Sequence, residues 1–245
     1  MRSLAIAAAS LLVMCGTAAA ADLRRAPIRK AVEPPPRLLG WSGFYLGLNG
    51  GGGWANGRSD FSIAGSPVFA AVNNSLTGAL GGAQIGFNWQ ADVAVFGFEA
   101  DFQASTVKGG LNAPCGPGLC IVPLTATYHQ EVPWFGTVRG RLGFANAGWL
   151  IYATAGYAYA RLETEASVAA GPVSAAVSLH ETRNGWTAGG GIEVALAPQW
   201  SAKLEYLYLD FGRSSSTWTL AGLPAIVDDA RLTMNVVRAG VNFRF

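Results

Sequence analysis

The last fourteen residues, 232–245, alternate between two kinds of side chain. Val237, Val241 and Phe243 fall on one face of an extended strand, and Arg238 and Arg244 fall on the other. An apolar face opposite a face that carries arginine is typical of a strand between lipid and a polar interior. Because each unpaired backbone group costs several kcal/mol in lipid, such a strand is stable only in a closed barrel. The alternation therefore predicts a transmembrane β-barrel.

The composition agrees with an all-β membrane protein. Of the 245 residues, 51% are hydrophobic, only 13% are charged and 32 residues are glycine. After the N-terminus, no uninterrupted apolar run reaches the roughly 20 residues that a transmembrane helix needs. The hydrophobic residues are dispersed instead, which favours strands with one apolar face.

The first 40 residues divide into two segments that we place outside the barrel. A basic start, a short apolar stretch and an alanine-rich end predict a signal peptide, 1–21, that is cleaved on export. Lipoprotein processing at Cys15 is the alternative, and the residues just before it, Val13 and Met14, disfavour it. Residues 22–40 are rich in arginine and proline, so we expect a periplasmic linker. The barrel then spans 41–245.

Charge and cysteine content restrict the partners. Cleavage removes Arg2, one of 17 basic residues, and none of the 15 acidic residues, so the net charge falls from +2 to +1. This balance gives no support for nucleic-acid binding. Cys115 and Cys120 remain, and in an oxidising compartment we expect them to form a disulfide in a loop. Two cysteines without a histidine cluster make a poor zinc site, and we expect no cofactor.

Eight segments show the period of two expected of barrel strands. They are 43–54, 79–89, 93–104, 133–144, 148–162, 184–196, 200–211 and 232–245. The fifth segment is apolar on both faces, so its orientation depends on the turn before it. A two-residue turn at 146–147 would place Leu142 opposite Ile151, with Trp149 outside and Tyr152 inside.

The connections between these segments alternate between short and long. Three contain about three residues, and four are long enough to be loops: 55–78, 105–133, 163–183 and 212–231. Outer-membrane barrels have short periplasmic turns and long external loops. We therefore predict an eight-stranded antiparallel up-and-down barrel in the outer membrane of a Gram-negative bacterium, with both chain termini in the periplasm.

Two sets of side chains follow from this arrangement. Four acidic and four basic side chains face the interior, where an eight-stranded barrel has room only for groups that satisfy one another. This lumen charge network comprises Glu99, Asp101, Arg139, Arg141, Glu193, Lys203, Glu205 and Arg238. A turn centred on Pro198 would place Glu193 opposite Lys203. Six tryptophans fall at strand ends, as expected at membrane boundaries: Trp54, Trp134 and Trp186 at the outer ends, and Trp89, Trp149 and Trp200 at the inner ends.

Three motifs resemble those of a known family. They are Trp-Ser-Gly-Phe-Tyr-Leu-Gly at 41–47, Trp-Phe-Gly-Thr-Val-Arg-Gly-Arg-Leu-Gly at 134–143 and Asn-Phe-Arg-Phe at 242–245. In these motifs the chain is similar to the major outer-membrane β-barrel proteins of alphaproteobacteria, which are grouped with outer-membrane protein A-like eight-stranded barrels. The resemblance implies that Phe245 is read by the outer-membrane assembly machinery. It also implies roles in envelope integrity and surface interaction.

We expect no catalytic residues. Acyl hydrolases need a serine, a histidine and an orienting group within hydrogen-bond reach. His129 and His180 both fall near external strand ends or loops, without such a set. The paired interior favours a plugged structural monomer surrounded by outer-membrane lipids and lipopolysaccharide. The alternative is a narrow passive porin for ions or small solutes, which would need water where we predict ion pairs.

Overall fold

The computed structural model describes residues 40–63, 68–115, 124–146, 148–170, 173–218 and 226–245. These residues form eight antiparallel strands: β1 Gly43–Ile63, β2 Val68–Ala91, β3 Ala94–Cys115, β4 Leu124–Asn146, β5 Trp149–Ala170, β6 Val173–Ala195, β7 Trp200–Trp218 and β8 Ile226–Arg244. Each strand pairs with its neighbours in the chain, and β8 pairs with β1 to close the barrel. The predicted fold class is confirmed. No helix in the described part of the chain is long and apolar enough to cross a membrane.

The barrel has two distinct ends. Short connections at 92–93, 147–148 and 196–199 join strands at the end that we call the turn end, where Trp41 and Phe245 also lie. The opposite end we call the extended end. The predicted signal peptide, 1–21, and nearly all of the predicted linker, 22–40, lie outside the described residues.

The strands are longer than the sequence indicated. They contain 19 to 24 residues, and most of each segment predicted as a loop continues a strand toward the extended end. The prediction that 55–78, 105–133, 163–183 and 212–231 are loops was therefore wrong for most of their residues. The physical reason is that inward and outward side chains continue to alternate in these segments. The inward positions in or next to them include the buried residues Leu76, Val107, Leu162 and Leu232, each on a different strand.

The register between β4 and β5 differs from the prediction by two residues. Leu142 lies opposite Ala153, and Ile151 lies opposite Phe144. The turn contains Gly148, which takes a positive φ of 96° that glycine adopts without steric cost. Because side chains alternate with a period of two, this shift leaves every residue on its predicted face, and Tyr152 is buried inside.

The opposite faces of the wall differ as the alternation predicts. Large apolar side chains cover the outside, and some are among the most exposed in the protein, such as Leu48 at 71% and Phe98 at 73%. The inside is crowded. A Cβ atom on inward-facing Gly51 would lie only 2.1 Å from the carbonyl oxygen of Val237 and 2.7 Å from Cα of Arg238. Glycine at this position leaves room for the arginine on the neighbouring strand.

Candidate functional site

The lumen is the candidate site, because the predicted charged side chains converge there. Every member of the lumen charge network is at least 95% buried: Glu99, Asp101, Arg139, Arg141, Glu193, Lys203, Glu205 and Arg238. They come from five strands, β3, β4, β6, β7 and β8, whose inward positions reach the same part of the narrow interior. We call this group the charged layer.

Arg139 lies at the centre of the charged layer. Its Nη2 atom forms ion pairs with Glu99 and, at 2.9 Å, with Oδ2 of Asp101, while its Nη1 lies 3.0 Å from Oε1 of Glu205. Nε of Arg139 donates a hydrogen bond to the hydroxyl of Thr137 at 2.8 Å. One guanidinium thus bridges carboxylates that project from two different strands, β3 and β7.

Arg238 and Lys203 complete the same cluster. Nη2 of Arg238 lies 2.6 Å from Oε2 of Glu205 and 3.0 Å from Oδ2 of Asp101. Nζ of Lys203 donates to both carboxylate oxygens of Glu99 at 3.0 Å. Because the last strand supplies Arg238, the cluster is complete only in the closed barrel.

The remaining pair lies nearer the turn end. Glu193 lies directly opposite Lys203 in the register, as predicted, but its ion-pair partner is Arg141, with Nη2 and Oε2 2.9 Å apart. The Arg141 guanidinium also lies 3.9 Å from the centre of the Tyr152 ring and donates to the Tyr45 hydroxyl at 2.7 Å. Strand register therefore predicted which residues are neighbours but not which long side chains pair.

A smaller apolar group closes the lumen at the turn end. This turn-end cluster consists of Trp41, Val95, Ala145, Leu150 and Tyr152, all buried. The Arg244 guanidinium lies 4.5 Å from the centre of the Trp41 ring and donates to the carbonyl of Gly40 at 2.9 Å. Sequence reasoning placed Trp41 only in a family motif, since a residue that precedes the first strand has no alternation to show which way it points.

A larger apolar group fills the lumen toward the extended end. This extended-end cluster consists of Ala55, Leu76, Leu80, Val107, Val132, Phe135, Ala158, Ala160, Leu162, Leu207, Leu209, Phe211, Leu232, Met234 and Val236. Sequence reasoning missed it. The available signal was that strands such as β5 are apolar on both faces, which a strand between lipid and a wholly polar lumen would not be.

Aromatic side chains form two bands on the outside of the wall. Toward the extended end, the Trp134 ring lies 5.7 Å from that of Phe102, and Trp186 lies 5.5 Å from Tyr208; Trp54 is also outward-facing, 43% exposed. Near the turn end, three other tryptophans contact phenylalanine rings at 6.4, 6.1 and 5.1 Å: Trp89 with Phe96, Trp149 with Phe144 and Trp200 with Phe243. The six predicted tryptophans thus divide between two levels.

The predicted disulfide and the two histidines do not belong to the charged layer. The predicted disulfide falls outside the described residues, which include neither Cys120 nor the side chain of Cys115. His129 and His180 lie on β4 and β6 rather than in loops, and Nδ1 of His180 is 3.4 Å from Glu163. The described residues contain no group of three or more His, Cys, Asp or Glu side chains arranged to hold a metal ion.

A protein-family comparison identifies this architecture. The family described as "Outer membrane protein beta-barrel domain" matches residues 6–245. The chain belongs to this outer-membrane β-barrel family. It is an outer-membrane protein, and its closed barrel of eight strands is the domain that defines the family.

Relatives in two alphaproteobacterial genera are similar to this outer-membrane barrel along most of its length. The 31 kDa outer-membrane immunogenic protein of Brucella melitensis is 32% identical over 244 residues, covering 97% of this chain and 98% of the relative. The 22 kDa outer membrane protein of Rhizobium leguminosarum is 29% identical over 188 residues, covering 74% of this chain and 70% of the relative. The predicted alphaproteobacterial family is confirmed.

Among solved structures, the outer membrane protease OmpT of Escherichia coli has a similar barrel. It matches with a TM-score of 0.54 over 83% of this chain and 97% of its own, at 8% sequence identity. At this identity the likeness shows a shared fold and carries no activity from one protein to the other.

Proposed function

We propose that this protein is a non-conducting structural barrel that stabilises the outer membrane and presents its extended end as an interaction surface. The turn end and both chain termini face the periplasm, and the two aromatic bands mark the bilayer boundaries. The barrel acts as a monomer, without catalytic residues, in contact with outer-membrane lipids and lipopolysaccharide. Phe245, exposed at the end of the last strand, serves as the recognition signal for the assembly machinery.

The observation that carries this proposal is the filled lumen. An ion that entered from the extended end would meet buried Leu207 and Met234, then the charged layer, and then buried Trp41 at the turn end. Conduction requires a continuous row of water molecules or polar groups that replace an ion's hydration shell. Apolar layers on both sides of the charged layer supply neither, so the lumen supports a structural role over the alternative of a narrow passive porin.

Planar-bilayer recording of the purified, folded protein tests the absence of conduction. We expect a baseline current in wild-type protein, while a sixteen-stranded porin inserted in parallel gives large steady steps. A variant with Trp41→Ala, Leu207→Ala and Met234→Ala should show more frequent openings, because all three changes remove side chains that obstruct the lumen. Frequent, long-lived openings of the wild-type barrel would favour the porin alternative.

Cysteine labelling on whole cells tests the orientation. In a protein whose Cys115 and Cys120 are serine, Ser215→Cys adds a thiol near the extended end and Gln199→Cys adds one in a turn. A membrane-impermeant maleimide should label the first in intact cells and the second only after the outer membrane is permeabilised. The opposite labelling pattern would invert the proposed orientation.

A further inference from the structure

Three arginines form a row on the outer wall of the barrel. Arg58 on β1 lies directly opposite Arg231 on β8, which lies directly opposite Arg213 on β7. All three side chains are exposed on the outward face. Directly opposed residues on antiparallel strands have Cβ atoms about 5 Å apart, and like charges at such positions repel. This arginine row is therefore unfavourable without a negatively charged partner.

A β-bulge creates the row. The register between β7 and β8 shifts between Asp210 and Arg213, and Gly212 in the bulge takes a φ of 68° while its N–H donates to Oδ1 of Asp210 at 2.9 Å. Without this extra residue, the alternation along β7 would turn Arg213 inward. Bulges commonly re-aim a side chain at functional sites, and this one places a third arginine beside the other two.

Nearby carboxylates neutralise the row only in part. Asp60 accepts from Nε of Arg58 at 3.1 Å, and Asp210 accepts from Nη2 of Arg231 at 2.8 Å. Each of these arginines keeps further N–H groups, and their side chains remain 62% and 50% exposed. Arg213 forms no ion pair with any carboxylate that the structure describes.

The third nearby acid, Asp229, is engaged by a hydroxyl group. It lies opposite Asp60 and Ser215 in the strand register, and the Ser215 hydroxyl donates a hydrogen bond to it. Asp60 and Asp229 thus lie two residues beyond the row toward the extended end, whereas Asp210 lies on the turn-end side of the row. The arginine row faces outward between these acids, which engage only Nε of Arg58 and Nη2 of Arg231.

Among the residues that the structure describes, no acidic side chain lines the cavity next to the row. The cavity has a volume of about 420 Å³, and Arg58 and Arg231 line it together with uncharged hydrogen-bonding side chains, which include Asn56, Asn73 and Thr233. One guanidinium group can donate two parallel N–H hydrogen bonds to two oxygens of a phosphate, and amide and hydroxyl groups add further donors. This chemistry fits a phosphate group.

The level of the row indicates the source of the phosphate. Arg58 follows Trp54 by four positions on β1, which is about 13 Å along the strand and, on a tilted strand, about 10 Å farther from the bilayer centre. Lipid headgroup phosphates lie at this level if the tryptophans mark the boundary.

We propose that the arginine row and its cavity bind the phosphate groups of a phosphorylated glycolipid in the outer leaflet. This inference rests on the orientation and bilayer boundaries given under the proposed function. The bound phosphates offset the repulsion among the three guanidinium groups and fix the lipid against one side of the barrel. The same chemistry would admit free phosphate, which the experiment distinguishes.

Affinity measurements with the full-length protein in nonionic detergent test the site. The probes are bisphosphorylated lipid A, the same lipid A without phosphates, and inorganic phosphate. The variants are Arg213→Gln and the double change Arg58→Gln with Arg213→Gln. The matched control is Arg161→Gln, which removes an outward arginine from β5 on the other side of the barrel, where Arg161 pairs with Glu163 at 3.1 Å.

We expect the double variant to bind bisphosphorylated lipid A at least about tenfold more weakly than wild type, and the control to stay within about twofold. Lipid A without phosphates should bind weakly to all the proteins. Without ligand, Arg213→Gln should melt no lower than wild type, since it removes repulsion rather than a contact. If Arg213 instead stabilised the fold through its own contacts, the melting temperature of the Arg213→Gln variant would be lower than that of wild type.

Three results would overturn the proposal. They are unchanged lipid A affinity in the double variant, equal binding of lipid A with and without phosphates, and complete displacement of lipid A by an equal concentration of inorganic phosphate. The last result would assign the site to free phosphate. Bilayer conductance is measured independently, so a conducting barrel with intact lipid A binding would overturn only the structural role.

Discussion

The charged layer and the extended-end cluster fill the same barrel by different means. In the charged layer, each side chain depends on particular partners: the single guanidinium of Arg139, for example, forms ion pairs with Glu99, Asp101 and Glu205. In the extended-end cluster, a residue such as Leu207 contributes only volume and apolar surface. The difference teaches that removing one partner of an internal ion-pair network destabilises the protein, because the charges left behind are buried without water. Removing atoms from an apolar layer costs only their packing.

The largest effect should come from breaking the charged layer at its centre. Arg139→Ala removes one of the two cations that Glu99, Asp101 and Glu205 share, the other being Arg238. We expect a loss of about 3–5 kcal/mol in unfolding free energy. Urea unfolding in lipid vesicles measures it. The matched control is Arg161→Ala, whose partly exposed pair with Glu163 should cost under about 1 kcal/mol. Equal costs for both variants would contradict the role of the charged layer.

Truncation in the apolar layer should have a smaller effect. Leu207→Ala removes a fully buried side chain from the extended-end cluster, and we expect a loss of about 2–4 kcal/mol from transfer and cavity terms. The same urea titration applies. Leu207→Met, which nearly conserves volume, should recover most of the loss. If the alanine variant unfolds like wild type, this layer does not contribute to stability.

The smallest effect should come from the outer wall. Leu48→Ala shortens a side chain that is 71% exposed on the lipid-facing surface, and lipid can fill the space that it leaves. Because the unfolded chain is in aqueous urea, the variant still loses the water-to-lipid transfer of the removed atoms but leaves no cavity, and we expect a loss of about 1–2 kcal/mol in vesicles. A loss as large as that of Leu207→Ala would mean that Leu48 packs against another protein surface.

Much of the fold was predictable because alternation reports the environment of each face. The eight strands, their order and the inward direction of residues such as Arg238 follow from a period of two combined with short turns. The charged residues were found because charges confined to every second position of an otherwise apolar strand clearly mark its inward face. Leu207 and Met234 were missed because the residues next to them on the outward face are also apolar, so the sequence does not show which residues point inward.

Other differences arise from what alternation cannot report. The end of a strand is not marked when the pattern continues through small and polar residues, as it does from Ala55 to Asp60 on β1. The position of the β4–β5 turn depended on Gly148 rather than on Asn146. The ion pair between Arg141 and Glu193 depends on the length and rotation of side chains that cross the lumen, which strand register does not determine.

The seam between the first and last strands has a consequence for biogenesis. Before β8 joins β7, the nascent interior contains Glu99, Asp101, Glu193 and Glu205 but lacks Arg238, so acidic groups outnumber basic ones in the network. The strand that closes the cylinder against β1 thus also supplies the charge that balances the network. An incompletely inserted intermediate would be penalised by its own unbalanced interior, which makes the terminal strand a checkpoint for maturation.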